Sequence, residues 1–183
     1  MAYQQDLNSR EEVKRKLINM TIRYKTYKNT LDTITCLLDA HKQIQTTTTG
    51  DIFDVDIEKN TKFPLAHVNI GNVDISMSQK TFNFQLFIMD IADEDNETFV
   101  LNDMLNIMSD IIALLKHGEN TFLYNAQHGE EPRYFVDNDF TCEPFTERFD
   151  NTVSGWVCNI QVIIESVLDS CDIPIDDDSV CIK

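Results

Sequence analysis

At 183 residues the chain is long enough for one domain with a substantial core or for a smaller domain carrying an extension, and the second division is the one expected here. Its 15 Lys and Arg against 31 Asp and Glu give a formal net charge of −16, which argues against a nucleic-acid or anionic-membrane binder for the protein as a whole. The charge is uneven: residues 1–28 hold seven basic and three acidic side chains, a balance of +4, which leaves −20 for the remainder. A basic arm beside an acidic body has two readings, a solvated helix face or a segment that docks on the acidic body of another copy.

Ser9 followed by Glu12 makes a capping box at the head of the first element. After it Val13, Leu17, Met20, Tyr24, Tyr27, Leu31, Ile34, Leu38 and His41 recur at alternating steps of four and three, which predicts a continuous amphipathic helix of about 30 residues. Its first half carries Arg10, Lys14, Arg15, Lys16, Arg23, Lys25 and Lys28, too much charge to sink into a core on more than one side. These seven side chains are candidate subunit-interface residues. The run Gln45 to Gly50 is read as the stop of this helix, because β-branched threonines precede a glycine able to close a turn.

Residues 51–60 place Ile52, Phe53, Val55 and Ile57 among acids, the pattern of a short edge strand or loop. A strand opens with Phe63, Pro64, Leu65, His67, Val68 and Ile70, breaks at Gly71-Asn72 and resumes through Val73, Ile75 and Met77. From Lys80 to Ala92 the alternation is the clearest in the chain, with Phe82, Phe84, Leu86 and Ile88 on one side and Thr81, Asn83 and Gln85 on the other. Phe87 and Met89 interrupt the polar side, so that end is expected to be covered on both faces, by a helix or by a neighbouring subunit. They too are candidate interface residues.

Acids from Asp93 to Glu97 precede a second helix, where the partial positive charge of a helix N-terminus favours them. Leu101, Met104, Leu105, Met108, Ile111, Ile112 and Leu115 trace its apolar face, and Lys116, His117 and Gly118 its finish. A loop with a short strand near Arg133 to Val136 follows. The stretch from Phe140 to Glu165 is read as strand, tight corner and long strand. Pro144, Phe145, Arg148, Phe149 and Gly155 are assigned to the corner, with Glu147 and Asp150 flanking the guanidinium, and Trp156, Cys158, Ile160, Val162 and Ile164 share one side of the strand that follows. Phe145, Arg148, Phe149, Gly155 and Trp156 are thus expected to form a structural corner. The last residues, 173–183, are acidic and without period, which predicts an extended tail. The whole order predicts the α+β class: an antiparallel or mixed sheet flanked by two helices, divided as a basic helical extension (1–28), a domain (29–172) and the tail.

The chemistry of enzymes is missing from the pattern. There are five glycines and no phosphate-cradling GxGxxG or GKS/GKT run. His41, His67, His117 and His128 occur singly, with no HExxH, and no GxSxG elbow is present. The acids Asp90, Asp93, Asp95 and Glu97, or Asp176 to Asp178, offer oxygen ligands for calcium but not the spacing of an EF-hand loop. Cys36, Cys142, Cys158, Cys171 and Cys181 show no CxxC spacing, which with the absence of an apolar leader or membrane-length run predicts synthesis in a reducing cytosol and thiols acting as small apolar residues. Neither catalytic residues nor a cofactor is assigned.

The run TTTTGDIFDVDIEKNTKFPLAHVNIGNVDIS, then TFNFQLFIMDIADED, the helix LNDMLNIMSDIIALLKHG and the closing CEPFTERFDNTVSGWVCNIQVIIES together resemble the tail-completion or tail-terminator-like ring proteins of tailed bacteriophages, in the versions found in crAss-like and related phages of Bacteroidetes hosts. The resemblance spans roughly Asn29 to Asp172, and FPLAHV, IMDI and PFTERFD with GW five residues on are its most specific pieces. It implies a non-enzymatic α+β virion subunit that closes into a ring of six or twelve copies, twelve if it continues portal symmetry. Such a ring is stacked between portal and distal tail proteins, and genomic DNA meets it only in transit. Two readings of other classes stand beside it: an acidic monomeric adaptor or host-interaction protein that mimics nucleic acid, and a metal-dependent hydrolase.

Overall fold

The structure is a computed structural model, which describes residues 26–52, 61–93, 95–117, 135–136, 139–148 and 152–166. Helix α1 spans Tyr27–Ala40, followed by β1 (Thr46–Gly50), β2 (Leu65–Ile75), β3 (Gln79–Ile91), α2 (Glu97–His117), β4 (Phe135–Val136), β5 (Cys142–Arg148) and β6 (Thr152–Glu165). The strands form one mixed sheet of six in the order β1-β2-β3-β6-β4, with β5 also paired to β6. The protein is therefore of the α+β class, with two helices on a mixed sheet.

The first helix is shorter than the heptad-like spacing predicts. Thr26 is its N-cap, with extended dihedrals and a hydroxyl that accepts the Asn29 N–H, so α1 starts there instead of running in from residue 9. The cap wins because a β-branched hydroxyl residue satisfies an orphan donor at the end of a helix better than it continues one. Tyr27 then lays its ring 5.5 Å from Phe82 and 5.7 Å from Phe84, which makes it part of the domain and places the division drawn after residue 28 inside α1. Residues 1–25 and 167–183, and with them the predicted basic helix and acidic tail, lie outside the described residues.

The threonine run is a strand, not a stop. Thr46 to Gly50 pairs parallel to Leu65 to Asn69, and the β-branched side chains that disfavour a helix suit the pleat. Gly50 ends it with φ +130°, a conformation side chains rarely adopt. β2 and β3 pair antiparallel with a register shift between Ile70 and Val73, at the Gly71-Asn72 break that the sequence marks.

Both helices lie on one face of the sheet. From α1, Ile34 and Leu38 are buried, and from α2 Met104, Ile107, Met108, Ile111 and Leu115. They pack on Ala66, Val68, Phe82, Phe84, Leu86, Ile88, Cys158, Ile160, Val162 and Ile164. Each such fully buried aliphatic side chain contributes about 1.5–3 kcal/mol over leaving it exposed. α2 differs from the predicted face in that Ile107 is buried while Leu105 is 36% exposed, a rotation set by where the sheet lies. Length and composition alone would let α2 cross a membrane, but here its apolar stripe is taken up by the sheet.

Candidate assembly surface

Of the basic residues predicted at a subunit interface, Arg10, Lys14, Arg15, Lys16, Arg23 and Lys25 lie outside the described residues. Lys28 lies in the first turn of α1, where its exposed Nζ meets Asp32 at 2.9 Å, an i,i+4 pair of the kind that contributes a few tenths of a kcal/mol.

Phe87 and Met89 are covered by their own chain, on the face opposite the helices. Met89 is buried with Leu65 and Val153 in a second, smaller apolar cluster, against which Ile52, Phe63, Phe87 and Phe145 pack. The Phe87 ring meets that of Phe145 edge-on at 5.7 Å and that of His67 at 6.1 Å. The cover predicted from a helix or a neighbouring subunit thus comes from the β1–β2 connection and from β5. Met89 is accordingly not a surface residue of the single chain.

The described residues assigned to the corner are paired strand residues. Pro144, Phe145 and Arg148 are strand residues of β5, Gly155 belongs to β6, and pairing continues to Arg148 opposite Thr152. Phe149 and Asp150 lie outside the described residues, so the predicted clasp of Glu147 and Asp150 on the guanidinium does too. Pro144 is accommodated because β5 is an edge strand and needs no second row of donors. Gly155 is required for close approach: a Cβ there would lie 2.1 Å from the Ile88 carbonyl oxygen and 2.8 Å from the Met89 Cα. Trp156 faces α2 and donates its indole Nε1–H to the Leu101 carbonyl at 2.7 Å. Beside it the Thr146 hydroxyl donates to Glu97 Oε1 at 2.7 Å, and buried Ser154 reaches the same oxygen at 3.4 Å. Helix α2 is thereby fixed at its N-terminus by hydroxyls of the hairpin.

The groups with potential for chemistry are dispersed. Asp93 Oδ1 accepts the N–H groups of Asp95 and Asn96, and Asn96 Oδ1 accepts the Asp93 N–H, a reciprocal cap ahead of α2. Asp90 accepts the Ile91 N–H at 2.7 Å, and burial raises its carboxyl above the usual range. His41 reaches Asp110 at 3.4 Å. His67 is buried on β2 with Nδ1 2.8 Å from the Thr48 hydroxyl and no hydrogen-bond partner for Nε2. Burial lowers its pKa, with the Gly50 backbone and the Asp51 charge opposing. Among the described residues no three His, Cys, Asp or Glu side chains converge to hold a metal ion.

The surface that stands out is the far end of β2. β1 pairs only as far as Asn69, so among the described residues Ile70 to Ile75 is an open sheet edge. On the helix-bearing face this edge exposes Ile70 (44%), Val73 (40%) and Ile75 (62%), with Met77 (76%) in the turn beyond. The opposite face of the same region is polar: Asn69 donates to Gln85 at 3.0 Å, and Gln85 donates to Asn159 at 3.1 Å, an amide ladder across β2, β3 and β6. Asn83 braces the edge by donating to Asp74 at 2.8 Å. Ile91 (44%), at the other end of β3, and Phe99 (74%), on the first turn of α2, are further exposed apolar side chains. At about 3.3 Å per strand residue Ile91 is on the order of 35 Å from Ile75.

The exposed edge escaped the sequence reading because Ile70, Val73 and Ile75 alternate as a core strand would. β1, five residues against eleven in β2, ends before them, and among the described residues neither helix buries them.

Fold and surface together define an α+β domain with one sheet face closed by two helices and, among the described residues, an unpaired apolar end of β2. No protein-family model matches the chain, and no curated protein matches it.

Proposed function

We propose that the protein is a structural subunit of a phage neck or tail, which closes into a homo-oligomeric ring between the portal region and the distal tail and surrounds the path of the ejected DNA. The observation that carries this reading is the apolar end of β2, Ile70, Val73 and Ile75, unpaired among the described residues, which a lone soluble chain would expose as a template for edge-to-edge association. A ring requires one surface to meet a different surface on the next copy, and exposed Phe99 on the first turn of α2 marks a distinct second surface. The resemblance of 29–172 to tail-completion and tail-terminator-like proteins supplies the setting. The net charge of −16 suits a channel wall that repels DNA phosphates and so lets the genome pass without adhesion.

The test is the mass and shape of the purified full-length chain, and of particles that carry it. Closed rings of six or twelve copies in negative-stain images, with the chain present in virions, are expected. A chain that stays monomeric at all concentrations, is absent from particles and binds a basic host protein in a salt-sensitive way would overturn the reading in favour of the acidic adaptor.

A further inference from the structure

Cys142 of β5 and Cys158 of β6 stand directly opposite each other in the antiparallel register. Residues so opposed send their side chains to the same face with Cα atoms roughly 4.5–5.5 Å apart, inside the window of about 4.4–6.8 Å that a disulfide spans. That face is the one under α2. Cys158 is fully buried in the main core, Cys142 is half-buried at its margin, and both thiols are free. Burial, and then the adjoining Cys142 thiol, push the Cys158 thiol up to about 12, so the buried member of the pair stays protonated and the accessible member meets reagents first.

We propose that Cys142 and Cys158 are a dithiol modification site, which two-electron oxidants of the peroxide class convert into a disulfide across β5 and β6. In the first step the Cys142 sulfur takes one oxygen from hydrogen peroxide: the O–O bond breaks, water leaves and a sulfenic acid remains. In the second the Cys158 sulfur attacks that of Cys142, gives up its proton, and the S–O bond breaks to release a second water. Two thiols are thereby oxidised and one peroxide is reduced to two waters. The new bond joins an edge strand that carries Pro144, and so has one donor fewer, to the long strand that holds the core. It therefore restrains the strand most able to detach. The proposal is independent of ring assembly, because both cysteines belong to one chain.

The experiment uses the full-length chain, prepared reduced, treated with hydrogen peroxide, blocked with N-ethylmaleimide and digested without reductant. Trypsin and glutamyl endopeptidase cut at Arg148 and Glu165, which separates Cys158 from Cys142, Cys171 and Cys181. The expected product is a peptide pair that links Cys142 to Cys158, two hydrogens lighter than its parts and released by dithiothreitol. Amide exchange in β5 should slow at least about tenfold on oxidation. In Cys158→Ala, a sulfenic acid at Cys142 should be trapped by dimedone, and Cys142→Ser should yield no linked pair. The main readout is on the unaltered chain, so it does not depend on either variant folding. If a peroxide dose that oxidises exposed Cys36 leaves Cys142 and Cys158 separately alkylated, or if Cys142 is found linked to another cysteine, the proposal fails.

Discussion

The indole of Trp156 on β6 hydrogen-bonds to the backbone carbonyl of Leu101 on α2 at 2.7 Å, and this contact sets how the second helix lies across the sheet. The ring is half-buried against the core, so it contributes both packing and a directional bond. Trp156→Phe keeps most of the apolar area and loses the donor. A loss of about 1 kcal/mol in urea unfolding is expected, against about 3–5 kcal/mol for Trp156→Ala. A Trp156→Phe variant as stable as the wild type would show that the hydrogen bond contributes nothing.

Gly155 lies opposite Met89, and a methyl group there has nowhere to go because the obstructing atoms are backbone. Gly155→Ala is therefore expected to cost at least about 2 kcal/mol or to leave the chain unfolded. Gly71→Ala should also destabilise, since its Cβ would meet the Asn83 carbonyl at 2.6 Å, but less, because the bulged end of β2 is exposed and free to shift. Thermal melting of the two variants beside the wild type gives the order.

His67 carries a pH prediction. Its pKa is lowered in the fold by burial, so between the folded and unfolded values the unfolded chain binds more protons. Stability from this group is complete above about pH 6.5, the unfolded value, and falls as the pH drops toward the folded one. His67→Gln retains a polar group near Thr48 without the titration. The difference in unfolding free energy between wild type and variant should shrink from pH 7.5 to pH 5.5, and a difference independent of pH would refute the assignment.

The open edge of β2 is tested by charge. Ile75 is 62% exposed, so Ile75→Lys should change the stability of the chain by no more than about 0.5 kcal/mol. If the edge mediates assembly, the same substitution should convert rings to smaller species in sedimentation, since an edge lysine opposes strand addition. Val73→Lys should act in the same direction.

The basic segment is best removed at residue 25. A cut after residue 28 would also take the Thr26 cap and the Tyr27 ring packed on Phe82 and Phe84, and so confuse assembly with folding. With residues 1–25 deleted, the melting temperature of the domain should stay within a few degrees of the parent while assembly weakens if the basic side chains bridge copies. Unchanged assembly would dissociate the arm from the interface.

The amino-acid order by itself determined the elements whose signal is local. The alternation from Phe82 to Ile88 reads as a strand, the Met104 to Leu115 stripe as a helix, and Gly71-Asn72 as an interruption, because side-chain periods of two and of 3.6 are properties of neighbouring residues. Tertiary structure alone decided what covers what. Phe87 and Met89 find their cover in Phe63 and Phe145, distant in sequence, and the threonines after α1 become a strand only because Leu65 to Asn69 offers a partner. Thr26 ends a helix whose apolar spacing continues upstream, and two cysteines sixteen positions apart stand opposite each other because β5 and β6 pair in that register. Each of these outcomes depends on contacts between segments, and the free energy of such a contact is not encoded in the period of either segment taken alone.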